Sequence, residues 1–148
     1  MEHIERKSIG KWISILHRQA QIYINRELKA YNINSSEYFY LANLTGDGEG
    51  CNQKYLSDLN HIDDALTTRV MKKLEEKGLI FREKSQEDKR AYHIRLTNKG
   101  IEIQPKVLAV LQKWTEIISE GMDEMERDVI IKKLMLMSEN ALRETKGK

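Results

Sequence analysis

Asp88 and Arg90 stand two residues apart in the polar run 85–91. In such a pair the carboxylate can hold the rotamer of the guanidinium. A guanidinium aimed in this way suits a narrow groove of strongly negative potential. On an ordinary surface the same pair is an ion pair worth about 0–1 kcal/mol. Lys84 and Lys89 flank it and add sequence-independent attraction to polyanions. Upstream, Thr67, Thr68, Arg69, Lys72 and Lys73 share a segment in which Leu66, Val70 and Leu74 recur every four residues. Helical spacing turns Arg69, Lys72 and Lys73 away from that apolar row. Arg69 has no acid three or four positions away, so its own helix leaves it for an external anion. Lys72 has Glu75 and Glu76 within helical reach, and Lys77 reads as a solvated charge. Gln53, Lys54 and Ser57, and Ser35 and Ser36 at a helix start, are further candidates for phosphate contacts. For the serines, plain helix capping explains the residue type as well.

Other chemistries find little footing. His3, His17, His61 and His93 have no metal-ligand spacing with one another or with Cys51. A single cysteine excludes an internal disulfide and leaves a thiol sensor as an alternative only if its pKa is depressed. There is no phosphate-binding glycine loop and no Gly-x-Ser-x-Gly, so neither an enzyme nor a cofactor is expected. The chain of 148 residues is 40% hydrophobic and 32% charged, apolar enough for a core and charged over much of its surface. No apolar run reaches the roughly 18 residues of a membrane span, and a cytoplasmic protein is the expectation. The net charge of +2 is uninformative, yet residues 69–99 hold ten Lys/Arg against five Asp/Glu. That local excess points to an anionic partner.

The elements that must position these groups follow from periodicity. Residues 8–31 form one amphipathic helix, with Ile9, Ile13, Leu16, Ala20 and Tyr23 in one row and Trp12, Ile15 and Ile22 beside it. Two rows are more than one lobe needs, so a partner is expected on the second. Asn34 starts the next helix with Glu37 answering it as a capping box, and Tyr38, Leu41, Ala42 and Leu44 turn inward. The glycine-rich run 45–50 ends it. A short helix capped by Asn52, a turn at Asn60-His61 and a helix from Asp63 or Asp64 to Gly78 follow. Strands at 79–84 and 92–96 enclose the polar loop. Residues 101–120 are helical with a kink or restart at Pro105, Gly121 breaks the chain, and 123–145 is the last helix. The result is mainly α with a small β-hairpin: a helix-turn-helix followed by a wing.

From residue 53 to 100 the sequence resembles the MarR family of winged helix-turn-helix transcription regulators. The resemblance is carried by Gln53-Lys54-Tyr55-Leu56, Arg69 to Leu74-Glu75, Gly78-Leu79-Ile80, Asp88-Lys89-Arg90 and Leu96-Thr97-Asn98-Lys99-Gly100, in order and at the family's spacing. It implies one regulator domain over 1–148, with a DNA-binding lobe at about 34–100 and dimerisation helices at about 1–31 and 101–148. It implies a homodimer on a pseudo-palindromic operator in double-stranded DNA, usually repressing. It also implies a small effector, often an aromatic acid, where the lobe meets the dimer helices. Trp12, Ile15, Leu16, His17, Tyr38 and Leu41 are the candidates for that pocket. Two features depart from the family. Asp64, Ala65 and Leu66 replace the usual Lys, Ser and Thr at the start of the recognition helix, and no cysteine lies in the first helix. Two alternative functions fit the same residues: a winged protein-interaction module with weak DNA binding, and a Cys51 thiol switch.

Overall fold

The computed structural model describes residues 7–44, 53–60, 64–87 and 92–146. Helix α1 spans Ile9–Leu28, and a 3-10 turn covers Lys29–Tyr31. Helix α2 spans Tyr38–Ala42, α3 Gln53–Asn60 and α4 Asp64–Glu76. Strands β1 (Ile80–Lys84) and β2 (Tyr92–Leu96) form an antiparallel hairpin in which Ile80 faces Leu96 and Lys84 faces Tyr92. Helices α5 (Asn98–Ile118) and α6 (Glu124–Thr145) follow. The chain divides into two compact units, one ending at Trp114 and one beginning at Thr115. No helix among the described residues is long and apolar enough to cross a membrane.

The first unit holds the core. Ile24 and Leu28 of α1, Tyr40 and Leu41 of α2, Leu56 of α3, and Val70, Met71 and Leu74 of α4 are buried together. Leu79, Ile80, Ile94 and Leu96 close it from the hairpin, and Ile103 and Val107 from α5. Each fully buried aliphatic side chain of this kind contributes about 1.5–3 kcal/mol. The ring of Tyr23 meets that of Trp114 at 5.3 Å between centroids, tying α1 to α5.

Local chemistry sets the boundaries. Ser8 caps α1 by accepting from the Lys11 amide. The reciprocal bonds expected at residues 34 and 37 are formed: the Glu37 amide donates to Asn34 Oδ1, and the Asn34 amide donates to Glu37 Oε1. They close a turn ahead of α2, which begins at Tyr38 and not at Asn34. The α4 terminus is a Schellman motif. Gly78 sits at φ +74°, its amide donates to the Glu75 carbonyl, and the Leu79 amide donates to the Leu74 carbonyl. Thr97 caps α5 by accepting from the Gly100 amide and donates its own hydroxyl proton to the Gly78 carbonyl. Gly100 is required because a Cβ there would lie 2.2 Å from the Leu79 carbonyl oxygen.

Two expectations change. Helix α5 runs on through Pro105 instead of restarting there. Burial of Ile103 and Val107 on either side holds both turns against the core despite the missing backbone donor. Tyr40 also belongs to the core beside Leu41 and Leu44, although the sequence pattern turns only its neighbours inward.

In the second unit, Asp123 caps α6 by accepting from the Glu126 amide. Ser119 is buried, with its hydroxyl donating to the Thr115 carbonyl. Helix α6 buries no side chain in the chain itself: Met125, Val129, Ile130, Ile131, Leu134, Met135 and Leu136 are all exposed. The first two-thirds of α1 is similar, with Ile9, Trp12, Ile13, Ile15, Leu16 and Ile22 exposed.

Candidate nucleic-acid interface

Helix α4 has two faces of opposite character. Thr67, Val70, Met71 and Leu74 pack inward, with Leu66 partly buried beside them. Thr68, Arg69, Lys72 and Lys73 lie exposed on the outer face. Arg69, Lys72 and Lys73 make no ion pair with any other described residue. Lys72 is not engaged by Glu75 as helical reach suggests, because Glu75 turns to Arg82 of β1 at 3.6 Å. That cross-element pair leaves the outer face of α4 with three cations between Asp64 and Glu76. It also braces the hairpin against α4. The sequence carries no local signal for it, since Arg82 lies outside the helix.

The threonines differ in role. Thr67 is fully buried, its hydroxyl 3.0 Å from the Tyr40 hydroxyl. It is a core residue and offers nothing to a ligand, so its place among the DNA-contacting candidates is corrected. The physical reason is register: Thr67 shares the inward face with Val70, Met71 and Leu74. Thr68 remains on the surface. Its hydroxyl donates to the Asp64 carbonyl and accepts from Gln53 Nε2 at 2.6 Å, which ties α3 to α4.

On α3, Lys54 is exposed, whereas Ser57 is buried and its Oγ has no hydrogen-bond partner. Ser57 is therefore also removed from the phosphate-contacting set. At the start of α2, the Ser36 hydroxyl and amide both donate to Asn34 Oδ1, and the Ser35 amide donates to Asn25 Oδ1. Ser36 is thus spent on its own turn, and the Ser35 amide ties that turn to α1. Ser35 and Ser36 line a polar hollow of about 500 Å³ with Asn25, Lys29, Asn32 and Lys77.

On the wing, Lys84 is exposed opposite Tyr92, and Arg95 pairs with Glu83 at 2.8 Å. Asp88, Lys89 and Arg90 lie outside the described residues, as do Cys51, Asn52, His61 and Asp63. Among the described residues no group of His, Cys, Asp and Glu could hold a metal ion.

The residues assigned to an effector pocket fall into different settings. Trp12, Ile15, Leu16 and His17 are exposed on α1, with the Lys11 ammonium 5.6 Å from the Trp12 ring. Tyr38 is partly buried, and the loss of water around it raises its hydroxyl pKa above the usual value. Leu41 is sealed in the core and has no surface left for a ligand, which corrects its assignment.

Sequence reading also missed Lys77. Instead of a solvated charge, its ammonium donates to Glu37 Oε1 and to the Asn32 carbonyl, both at 2.7 Å. Glu37 is completely buried. The carboxylate was legible as a helix cap, but its partner lies 40 residues away.

A cationic helix face whose Arg69, Lys72 and Lys73 pair with no other described residue, braced from behind by a polar-stitched core and from the side by a hairpin, is an arrangement for reading DNA grooves. Comparison with known proteins agrees. The MarR family pattern matches residues 33–92. The HTH-type transcriptional regulator BilQ of Clostridioides difficile is 26% identical, over 93% of each chain. The transcriptional repressor MprA of Escherichia coli is 30% identical, over 81% of this chain and 72% of that one. The crystal structure of a MarR transcriptional regulator from Methanosarcina mazei Go1 superposes with a TM-score of 0.80 at 37% identity, covering 91% of this chain and 96% of that one. With a helix-turn-helix, a wing and these relatives together, the chain belongs to the MarR family of DNA-binding transcription regulators and is not an enzyme.

Proposed function

We propose that the chain is a homodimeric repressor whose release from its operator is triggered by a small ligand. The observation that carries the DNA-reading part is the outer face of α4, where Arg69, Lys72 and Lys73 are exposed and none pairs with another described residue. In this reading Arg69 and Thr68 reach base edges, with Gln53 holding Thr68. Lys54, Lys72, Lys73 and Lys84 meet phosphates, which position the lobe without carrying sequence information. Arg90, oriented by Asp88 and accompanied by Lys89, enters the neighbouring minor groove.

The exposed apolar rows of α1 and of α6 each support a dimer, because apolar rows left open on a helix mark an interface. A two-fold dimer sets the two α4 helices about one turn of DNA apart, roughly 34–36 Å. Repression is drawn from the similar transcriptional repressor MprA of Escherichia coli. The ligand reading draws on Trp12, Ile15, Leu16, His17 and Tyr38, an aromatic and apolar set suited to a small aromatic acid. A cytoplasmic location fits a regulator of DNA.

The test is a mobility-shift titration on DNA from upstream of the chain's own reading frame, at several salt concentrations, with and without small aromatic acids. Sequence-selective binding with a steep salt slope, weakened by one of the acids, is expected. Binding that is absent, or equal on unrelated DNA, defeats the operator reading.

A further inference from the structure

We propose that the buried Glu37–Lys77 pair is the positioning strut that sets α4 against the end of α1, so that operator discrimination depends on two residues that touch no DNA. The proposal rests on the DNA-reading function above.

The geometry is specific. The Lys77 ammonium lies at the C-terminal end of α4, where a cation also favours the helix dipole. It makes two hydrogen bonds at 2.7 Å, to Glu37 Oε1 and to the Asn32 carbonyl. Asn32 is the left-handed cap that ends the turn after α1, at φ 57°. The next residue, Ile33, is buried and its amide donates to the Leu28 carbonyl at the end of α1. Glu37 Oε1 also accepts from the Asn34 amide, so the same oxygen terminates the α1–α2 connection and the α4 C-terminus. Lys99 adds a bond to the Lys77 carbonyl from the start of α5. One buried oxygen and one ammonium thus join three elements at a single point.

Glu37 Oε2 has no partner in the structure. A fully buried carboxylate held through one oxygen carries a desolvation cost that its contact with Lys77 has to offset, so such a pair is weak evidence for stability. Its geometry, which ties two chain segments to one oxygen, points to a directional role. Helix α1 carries the exposed apolar rows at one end and this junction at the other. Any shift of α1 on a partner subunit reaches α4 through the strut.

The test compares the full-length parent with Glu37→Gln, Lys77→Met, their double variant and Lys77→Arg. Glu37→Gln removes a negative charge, so a purely electrostatic role predicts equal or tighter DNA binding. The strut predicts the opposite: operator affinity falls about tenfold, on the scale of a lost charged hydrogen bond. Non-specific affinity and the salt slope should stay unchanged. The double variant should be no worse than the weaker single variant. Lys77→Arg, which keeps the charge, should recover most of the discrimination.

Three results overturn the strut. One is Glu37→Gln retaining the parent's ratio of operator to non-specific affinity while only its melting temperature falls, because that is a merely structural pair. Another is Lys77→Met lowering both affinities equally with a salt slope reduced by about one, because that is a direct phosphate contact. The third is an unchanged distance distribution between spin labels at Gln21→Cys in α1 and Glu76→Cys in α4. These are measured in a Cys51→Ser chain diluted with unlabelled protein, with and without Glu37→Gln. Broadening supports the strut. The distance readout needs no DNA, so it separates failure of the strut from failure of the operator reading.

Discussion

Residue types on α4 mislead until their neighbours are known. Thr67 and Thr68 are adjacent and chemically identical, yet one is core and the other surface. Thr67→Val keeps the shape but leaves the buried Tyr40 hydroxyl without its partner. Urea unfolding should show a loss of about 1–3 kcal/mol, the cost of an unsatisfied buried group, with the salt slope of DNA binding unchanged. Ser57→Ala should be neutral or stabilising in the same assay, since its hydroxyl already lacks a partner. Arg69 is the converse case. Arg69→Ala should keep stability within about 0.5 kcal/mol, yet weaken operator binding and reduce the salt slope by about one. Arg90→Ala on the wing should show the same loss of affinity and slope; Asp88→Ala should do less harm to charge but more to the order of Arg90, and Lys89→Ala should have the smallest effect of the three on operator binding. Wild-type affinity and slope in Arg90→Ala would remove the minor-groove contact.

At the scale of elements, the junction of α4, β1 and α5 is held by close backbone approach. Gly100→Ala places a methyl group 2.2 Å from the Leu79 carbonyl oxygen. The backbone must shift, at about 1–3 kcal/mol for overpacking. A lower melting temperature, with slower recovery of the hairpin's amide protection in hydrogen exchange, is the expected result. This junction was legible in the sequence because its parts are local: a Gly after a helix, a Thr three residues before another Gly, and a second strand of alternating pattern. The helices were legible for the same reason, as apolar spacing and caps act within a few residues. What was hidden lies between elements. Glu75 bonding Arg82 instead of Lys72, Glu37 bonding Lys77, and Gln104 donating to the Leu41 and Leu44 carbonyls all join residues that no periodicity relates. The inward turn of Thr67 is of the same kind, since a threonine fits either face until a Tyr hydroxyl claims it. The pocket residues were the least legible, because a half-covered row such as Trp12, Ile15 and Leu16 looks alike whether a ligand or a protein covers it.

At the scale of the whole molecule, helix α6 is a long element none of whose apolar side chains is buried within its own chain. Leu134→Glu puts a charge in the middle of that row and should shift sedimentation toward the monomer. Operator affinity should fall with it, since two lobes bound together gain an effective concentration that separate lobes lack. A Leu134→Glu protein that sediments as a dimer with parental affinity would place the subunit contact elsewhere.

The segregation of the α4 surface from the α6 row has a consequence for heredity. A lesion confined to α4, such as Arg69→Ala, leaves the pairing surface intact. In the proposed dimer its product can still join a healthy subunit and disable it. With equal expression and random pairing, about a quarter of the dimers would be intact, by the statistics of a two-fold assembly. Such alleles are expected to be dominant over wild type in a merodiploid reporter strain. Leu134→Glu is expected not to pair, to leave the wild-type copies alone, and so to be recessive. Recessive α4 alleles alongside dominant α6 alleles would mean that the two surfaces have exchanged the roles given to them here.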